Sequence, residues 1–159
     1  HGGTRTGRVF TGDKSSDFLY KCLYKAKISN QPTSKHINDG LKLSKAYITT
    51  ALKCVPPADK PLKNELDNCF NFFNKEIDNL KNLKAVIALG KIAFDACVYY
   101  YKSNYAFHEK IKFGHGKIFK VPDNVLLIGC YHPSPRNVNT GRINEKKMTN
   151  LFLKVLKLV

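Results

Sequence analysis

Apolar positions recur along the chain with two different periods, and the alternation between them predicts the architecture. From Ser15 to Lys27 they fall at Phe18, Leu19, Cys22, Leu23 and Ala26, the spacing of one helix face behind a serine cap signal. Ala46–Leu52 is short and β-branched and reads as a strand. Leu62–Leu80 is apolar at 62, 66, 69, 70, 73, 77 and 80, an amphipathic helix opening just after Pro61. Lys84–Leu89 predicts a buried strand, Gly90 a turn, and Lys91–Tyr101 a helix. Val125–Cys130 is apolar throughout, a further buried strand. Met148, Leu151, Phe152, Val155, Leu156 and Val159 line one face of a closing helix whose other face is lysine. Between these, Lys102–Asn124 is irregular and holds His108 and the run Phe113-Gly114-His115-Gly116.

Strands apolar on both faces that alternate with helices point to a parallel sheet covered by helices. The chain opens with a glycine-rich loop (Gly2, Gly3, Gly7, Gly12) that no strand precedes. In open α/β sheets such loops lie at the carboxyl end of a strand, so a strand upstream of His1 is expected. The longest apolar runs, Ala85–Gly90 and Val125–Cys130, fall far short of the roughly 18 residues of a membrane span. The start carries no signal or transit pattern. A length of 159 residues with ten Phe and eight Tyr supports one globular domain and excludes disorder.

Charge narrows the partners. The chain has 27 Lys and Arg against 12 Asp and Glu, a net charge of +15. Self-repulsion on that scale usually has a polyanion as its counterpart, although a lysine-rich solvated surface gives the same count. No strongly basic amphipathic helix stands apart from the core pattern, which disfavours a membrane-surface role. Five cysteines are an odd number without a secretion signal, so thiols or metal ligands fit better than a disulfide framework.

Three stretches carry candidate chemistry. The first is the run from Gly2 through Arg5, Arg8 and Phe10 to Asp13. Its backbone amides suit a phosphate and Phe10 suits base stacking; equally, Phe10 fits a core position and Asp13 a helix cap. The second, Cys130-Tyr131-His132-Pro133-Ser134-Pro135-Arg136-Asn137, follows a buried strand whose end delivers His132 to the ligand edge, unless His132 is an ordinary loop histidine. Thr140-Gly141-Arg142 echoes Thr6-Gly7-Arg8. The third is Cys54-Val-Pro-Pro-Ala-Asp-Lys-Pro61 followed by Cys69. Two thiols at that separation are either core cysteines or half of a metal site.

In that order, TGRVFTGD, KCVPPADKP, a cysteine on the next helix, FGHG and YHPSPRNVNTG resemble the uracil-DNA glycosylase superfamily over essentially the whole chain. The similarity is closest to its iron–sulfur branch, the family 5 enzymes of bacteria and archaea. It implies an α/β fold, a three-layer α/β/α sandwich around a four-stranded parallel sheet whose first strand precedes His1. It implies a 4Fe–4S cluster, with Cys54 and Cys69 as two of four ligands and the other pair upstream. The implied partner is double-stranded DNA containing uracil or other deaminated bases such as hypoxanthine. A cytoplasmic, nucleoid-associated monomer is expected, and a sliding-clamp partner is left open.

The resemblance also implies roles. His132 donates a hydrogen bond to the departing base, and Asp13 positions water or stabilises the cationic sugar. Phe10 stacks on the flipped base. Thr50 stands where related enzymes read uracil with Asn, and Asp59 stands where family 5 members usually have Asn. The Pro133-Ser134-Pro135 turn fills the vacated space, and Arg5, Arg8, Arg136, Asn137 and Arg142 hold DNA. Two other readings remain at this point. One is a degenerate relative that binds DNA without cleavage. The other, a nucleotide-binding domain, needs a phosphate-loop lysine or an acidic ribose ligand that the glycine-rich stretch lacks.

Overall fold

The computed structural model describes residues 2–56 and 61–159. Along the chain run α1 (Gly2–Thr6), α2 (Lys14–Lys25), α3 (Lys63–Asn79), β1 (Ala85–Leu89), α4 (Lys91–Asn104), β2 (Ile118–Val121), β3 (Val125–Cys130), α5 (Pro135–Asn139) and α6 (Glu145–Leu156). This is the α/β class the pattern predicts. The elements gather into two compact units. One holds the described residues up to Thr49 together with Tyr131–Val159, the other Thr50–Cys130.

In the second unit β3 is the central strand, parallel to β1 and antiparallel to β2, in the order β1-β3-β2. Its run Val-Leu-Leu-Ile-Gly-Cys is almost wholly buried, because a central strand meets apolar neighbours on both faces. Helix α4 packs on β1 and β3. Phe94, Cys97, Tyr100 and Tyr101 from this helix join Phe73 and Ile77 of α3 and Leu127 of β3 in one core. Tyr100 donates to Asp78 Oδ1 at 2.7 Å and Tyr105 to Asp123 Oδ2 at 2.5 Å, so α3, the end of α4 and the β2–β3 turn are tied together by polar bonds as well.

The sheet differs from the expectation in two ways. Ala46–Leu52 forms no strand: a strand exists only through a ladder with a neighbour, and none of the described strands pairs with it. Conversely, Ile118–Val121, placed in the irregular stretch, is a strand. Four residues carry little pattern of their own, and pairing with β3 across the Pro122-Asp123-Asn124 turn decides their state. Asp123 and Asn124 take left-handed backbone at φ 60° and 57°, which Asp and Asn tolerate better than most residues. The described sheet is therefore three-stranded and mixed rather than four-stranded and parallel. The FGHG run crosses close over β3: a Cβ on Gly129 would lie 2.4 Å from the Gly114 carbonyl oxygen, so this position accepts only glycine.

In the first unit α2 packs against α6. Leu19, Cys22 and Leu23 on one helix, with Met148, Leu151 and Phe152 on the other, are buried, as the helical spacing predicts. Lys25 pairs with Glu145 where the helices meet. The glycine-rich opening is partly helical rather than all loop. A Cβ on Gly2 would lie 2.1 Å from the Thr11 carbonyl oxygen, and Thr6 Oγ1 donates back to Gly2 O at 2.8 Å. Glycine there permits close approach of two backbone segments.

Candidate active site

Phe10, Asp13 and His132 come together in the first unit. Phe10 sits at φ 52°, a left-handed conformation that is strained for a bulky side chain. Gly7 at φ 74° and Gly12 at φ 91° bend the chain on either side. Such strain, where surrounding bonds hold it, concentrates at functional sites. The Phe10 and His132 rings lie 5.7 Å apart, inclined at 49°. Two residues after Gly12 bends the chain, helix α2 begins, with Asp13 as its cap. Asp13 Oδ1 accepts from Ser16 N at 2.7 Å, and Ser16 Oγ closes a capping box. Its second carboxylate oxygen has no hydrogen-bond donor among the described residues. Cap and chemistry are thus compatible in one side chain.

His132 is half-buried. Burial draws its imidazole below the ordinary histidine value, and the Asp13 carboxylate opposes this only in part. The ring is accordingly neutral at neutral pH, with one N–H to donate. Its loop is rigid. Asn137 Nδ2 donates to the His132 carbonyl at 2.9 Å, Ser134 caps α5 by accepting from Asn137 N, and Pro135 occupies the first helical position.

Several expected DNA contacts have other roles here. Arg8 turns inward: its guanidinium donates to Asp39 Oδ1 at 2.8 Å, Ser34 Oγ at 2.9 Å and the Ile37 carbonyl at 3.0 Å. Pro133 is fully buried, so it packs rather than fills a gap in DNA. Asn137 and Ser134 brace the loop from within. Arg136, Arg142 and the Pro135 ring are exposed, and so is Arg5, one of whose N–H groups donates to the Gly12 carbonyl. The Thr-Gly-Arg echo therefore conceals opposite fates, because Asp39 draws in Arg8 alone.

Asp39 is the functional support that sequence reading missed; its only signal is the Asn38-Asp39-Gly40 turn. Burial alone would raise its carboxyl, but hydrogen bonds from the Lys35, Leu41 and His36 backbone N–H groups and the Arg8 guanidinium outweigh this and hold it well below the usual carboxylate range. Asp39→Ala is expected to cost about 3 kcal/mol in chemical unfolding, since it leaves Arg8 facing no carboxylate. The stability this carboxylate supplies is complete above its ordinary value of 3.8 and is lost as the pH falls toward the depressed folded value. Acid titration of the variant should show that limb removed.

In the second unit Thr50 is half-buried. Asp59 lies outside the described residues. Cys54 is exposed and Cys69 buried; the two thiols hydrogen-bond to each other, which pushes the Cys54 thiol up. Lys53 N donates to Cys69 Sγ at 3.3 Å. Among the described residues no third Cys, His, Asp or Glu joins them. A 4Fe–4S cluster needs four thiolates, so these residues alone do not fit it. Cys22, Cys97 and Cys130 are buried elsewhere as small core fillers. No helix among the described residues is long and apolar enough to cross a membrane.

A family model described as the uracil DNA glycosylase superfamily matches residues 1–157. The chain is 38% identical over 152 residues to the type-5 uracil-DNA glycosylase of Pyrobaculum aerophilum, covering 96% of this chain and 64% of that protein. It is 36% identical over 159 residues to that of Mycobacterium tuberculosis, covering 99% and 59%. It is 37% identical over 156 residues to that of Thermus thermophilus, covering 98% and 68%. The chain thus spans between 59% and 68% of the length of these relatives.

Proposed function

Since this chain belongs to the uracil-DNA glycosylase superfamily, in its type-5 branch, we propose that it hydrolyses the N-glycosidic bond of uracil in DNA and leaves an abasic site. The observation that carries the reading is the grouping of a neutral His132, the ring of Phe10 on its strained backbone and the Asp13 carboxylate in one unit. Extruding a nucleotide from duplex DNA costs a few kcal/mol. Stacking on Phe10 offsets about 1–3 kcal/mol of it. As the bond breaks, positive charge grows on the sugar and negative charge on the pyrimidine. The His132 N–H stabilises the base anion without first losing a proton, a donor held in place before the reaction begins. The free Asp13 oxygen orients the water that adds to the sugar and accepts its proton, while the base leaves as an anion. Arg5, Arg136 and Arg142 hold phosphates.

The residue at position 50 is Thr where related enzymes carry an amide side chain, and this shorter side chain extends the proposed base range to hypoxanthine. Cys54 and Cys69 would supply half the ligands of a 4Fe–4S cluster, and no step of the reaction depends on it. The test is alkali-induced cleavage of a labelled duplex holding one uracil. Cleavage at that position supports the reading. Binding of the duplex with no abasic product from uracil or hypoxanthine replaces it with a DNA-binding relative.

A further inference from the structure

At the Gly12 bend, an open cleft of about 600 Å³ is lined by Arg5, Lys14, Lys35 and His36 together with the carboxylates of Asp13 and Asp17. We propose that this cavity is a seat for a backbone phosphate of the DNA strand, gripped by Lys35, Arg5 and Lys14, with His36 as a further donor. The inference rests on the reading that DNA is the substrate and deepens it, adding Lys35, Lys14 and His36 to the Arg5 contact that the reading already contains.

Three cationic side chains from three separate stretches of chain converge on the cavity against two carboxylates. Asp13 gives one oxygen to the Ser16 N–H and keeps the other free among the described residues, and Asp17 lies in the first turn of α2, so the cations lining the cleft outnumber its carboxylates by one. The Arg5 guanidinium and the backbone that carries Lys35 and His36 are held before any ligand arrives. Arg5 Nη2 donates to the Gly12 carbonyl at 2.5 Å, which leaves its other N–H groups available. The Lys35 and His36 backbone N–H groups both donate to Asp39 Oδ2, at 2.6 and 3.4 Å. Asp39 in turn is locked by Arg8. His36 Nδ1 accepts from Asn38 N at 3.2 Å, so in the neutral ring the proton lies on Nε2, the nitrogen free to donate. A loop fixed in this way loses little conformational freedom on binding. An oxyanion matches this donor set, and a DNA strand offers one at each nucleotide.

The experiment is the salt dependence of binding to a uracil-free duplex by the full chain, its Lys35→Ala variant and Lys102→Ala as a charge-matched control. Both lysines are exposed, and Lys35→Ala keeps the backbone bond to Asp39. Loss of one phosphate contact should reduce the slope of log K against log salt by about 0.9, which is about eightfold in affinity between 1 M and 0.1 M salt. The control should keep the parent slope. An unchanged slope in Lys35→Ala, or an equal loss in the control, overturns the proposal. So does saturable binding of inorganic phosphate at the cavity with no effect of Lys35→Ala on the duplex, which would mark a free-anion site. The readout needs no base release: a chain that binds but releases no uracil refutes the glycosylase reading alone, and one that releases uracil with the slope intact refutes this proposal alone.

Discussion

Replacing His132 with alanine is expected to slow uracil release by about 10²–10³-fold in single-turnover kinetics, while binding of a uracil-free duplex stays near the parent value. The asymmetry follows from where the charge is. Bound substrate has a neutral base, so the His132 N–H gains little before the bond breaks. As it breaks, the pyrimidine becomes an anion, and a donor fixed by the Asn137 bond and the Ser134 cap interacts strongly without reorganising. The neutral state of the ring is part of this prediction. Burial lowers its titration below the ordinary value of 6.5, so a nuclear magnetic resonance titration should find the midpoint below that value. Full activity in the variant would sink the assigned role, and loss of duplex binding in step with activity would show a merely structural one.

The second large effect concerns Asp13, which holds two roles that can be separated. Asp13→Ala removes both the cap of α2 and the free carboxylate oxygen. It is expected to cost about 1 kcal/mol of stability and about 10²–10⁴-fold in base release. Asp13→Asn separates the two, because Asn caps a helix as well as Asp but cannot accept a proton from water. Its unfolding midpoint should match the parent while its rate stays as low as that of the alanine variant. The same change removes the carboxylate charge that raises the His132 imidazole, so His132 should titrate lower still in Asp13→Asn. A rate in Asp13→Asn close to the parent would confine Asp13 to capping. Unchanged His132 titration would separate the two side chains electrically.

The chain itself specifies its helices and its two apolar strands, although only β3 is buried as expected and β1 is half-buried except at Ala88. Apolar spacing through Phe18–Ala26 and Leu62–Leu80 leaves one face of each helix to bury, and the unbroken apolar runs Ala85–Leu89 and Val125–Cys130 have no polar face to expose. The ordered motifs likewise point to His132, Asp13 and Phe10, because residue type and neighbours define their chemistry. What a residue touches across the fold is a different kind of information. Arg8 and Arg142 follow the same Thr-Gly pair, yet only Arg8 meets Asp39, 31 residues away, and turns inward. Pro133 and Pro135 flank the same serine, yet one is buried and the other exposed. Ile118–Val121 becomes a strand because β3 lies beside it, and Ala46–Leu52 does not because none of the described strands does. Periodicity and motif are local and fix what each segment is able to do. Pairing, burial and charge neutralisation depend on distant partners, so the tertiary structure alone decided which arginines meet solvent, which prolines pack and how the Lys35–Gly40 loop is held.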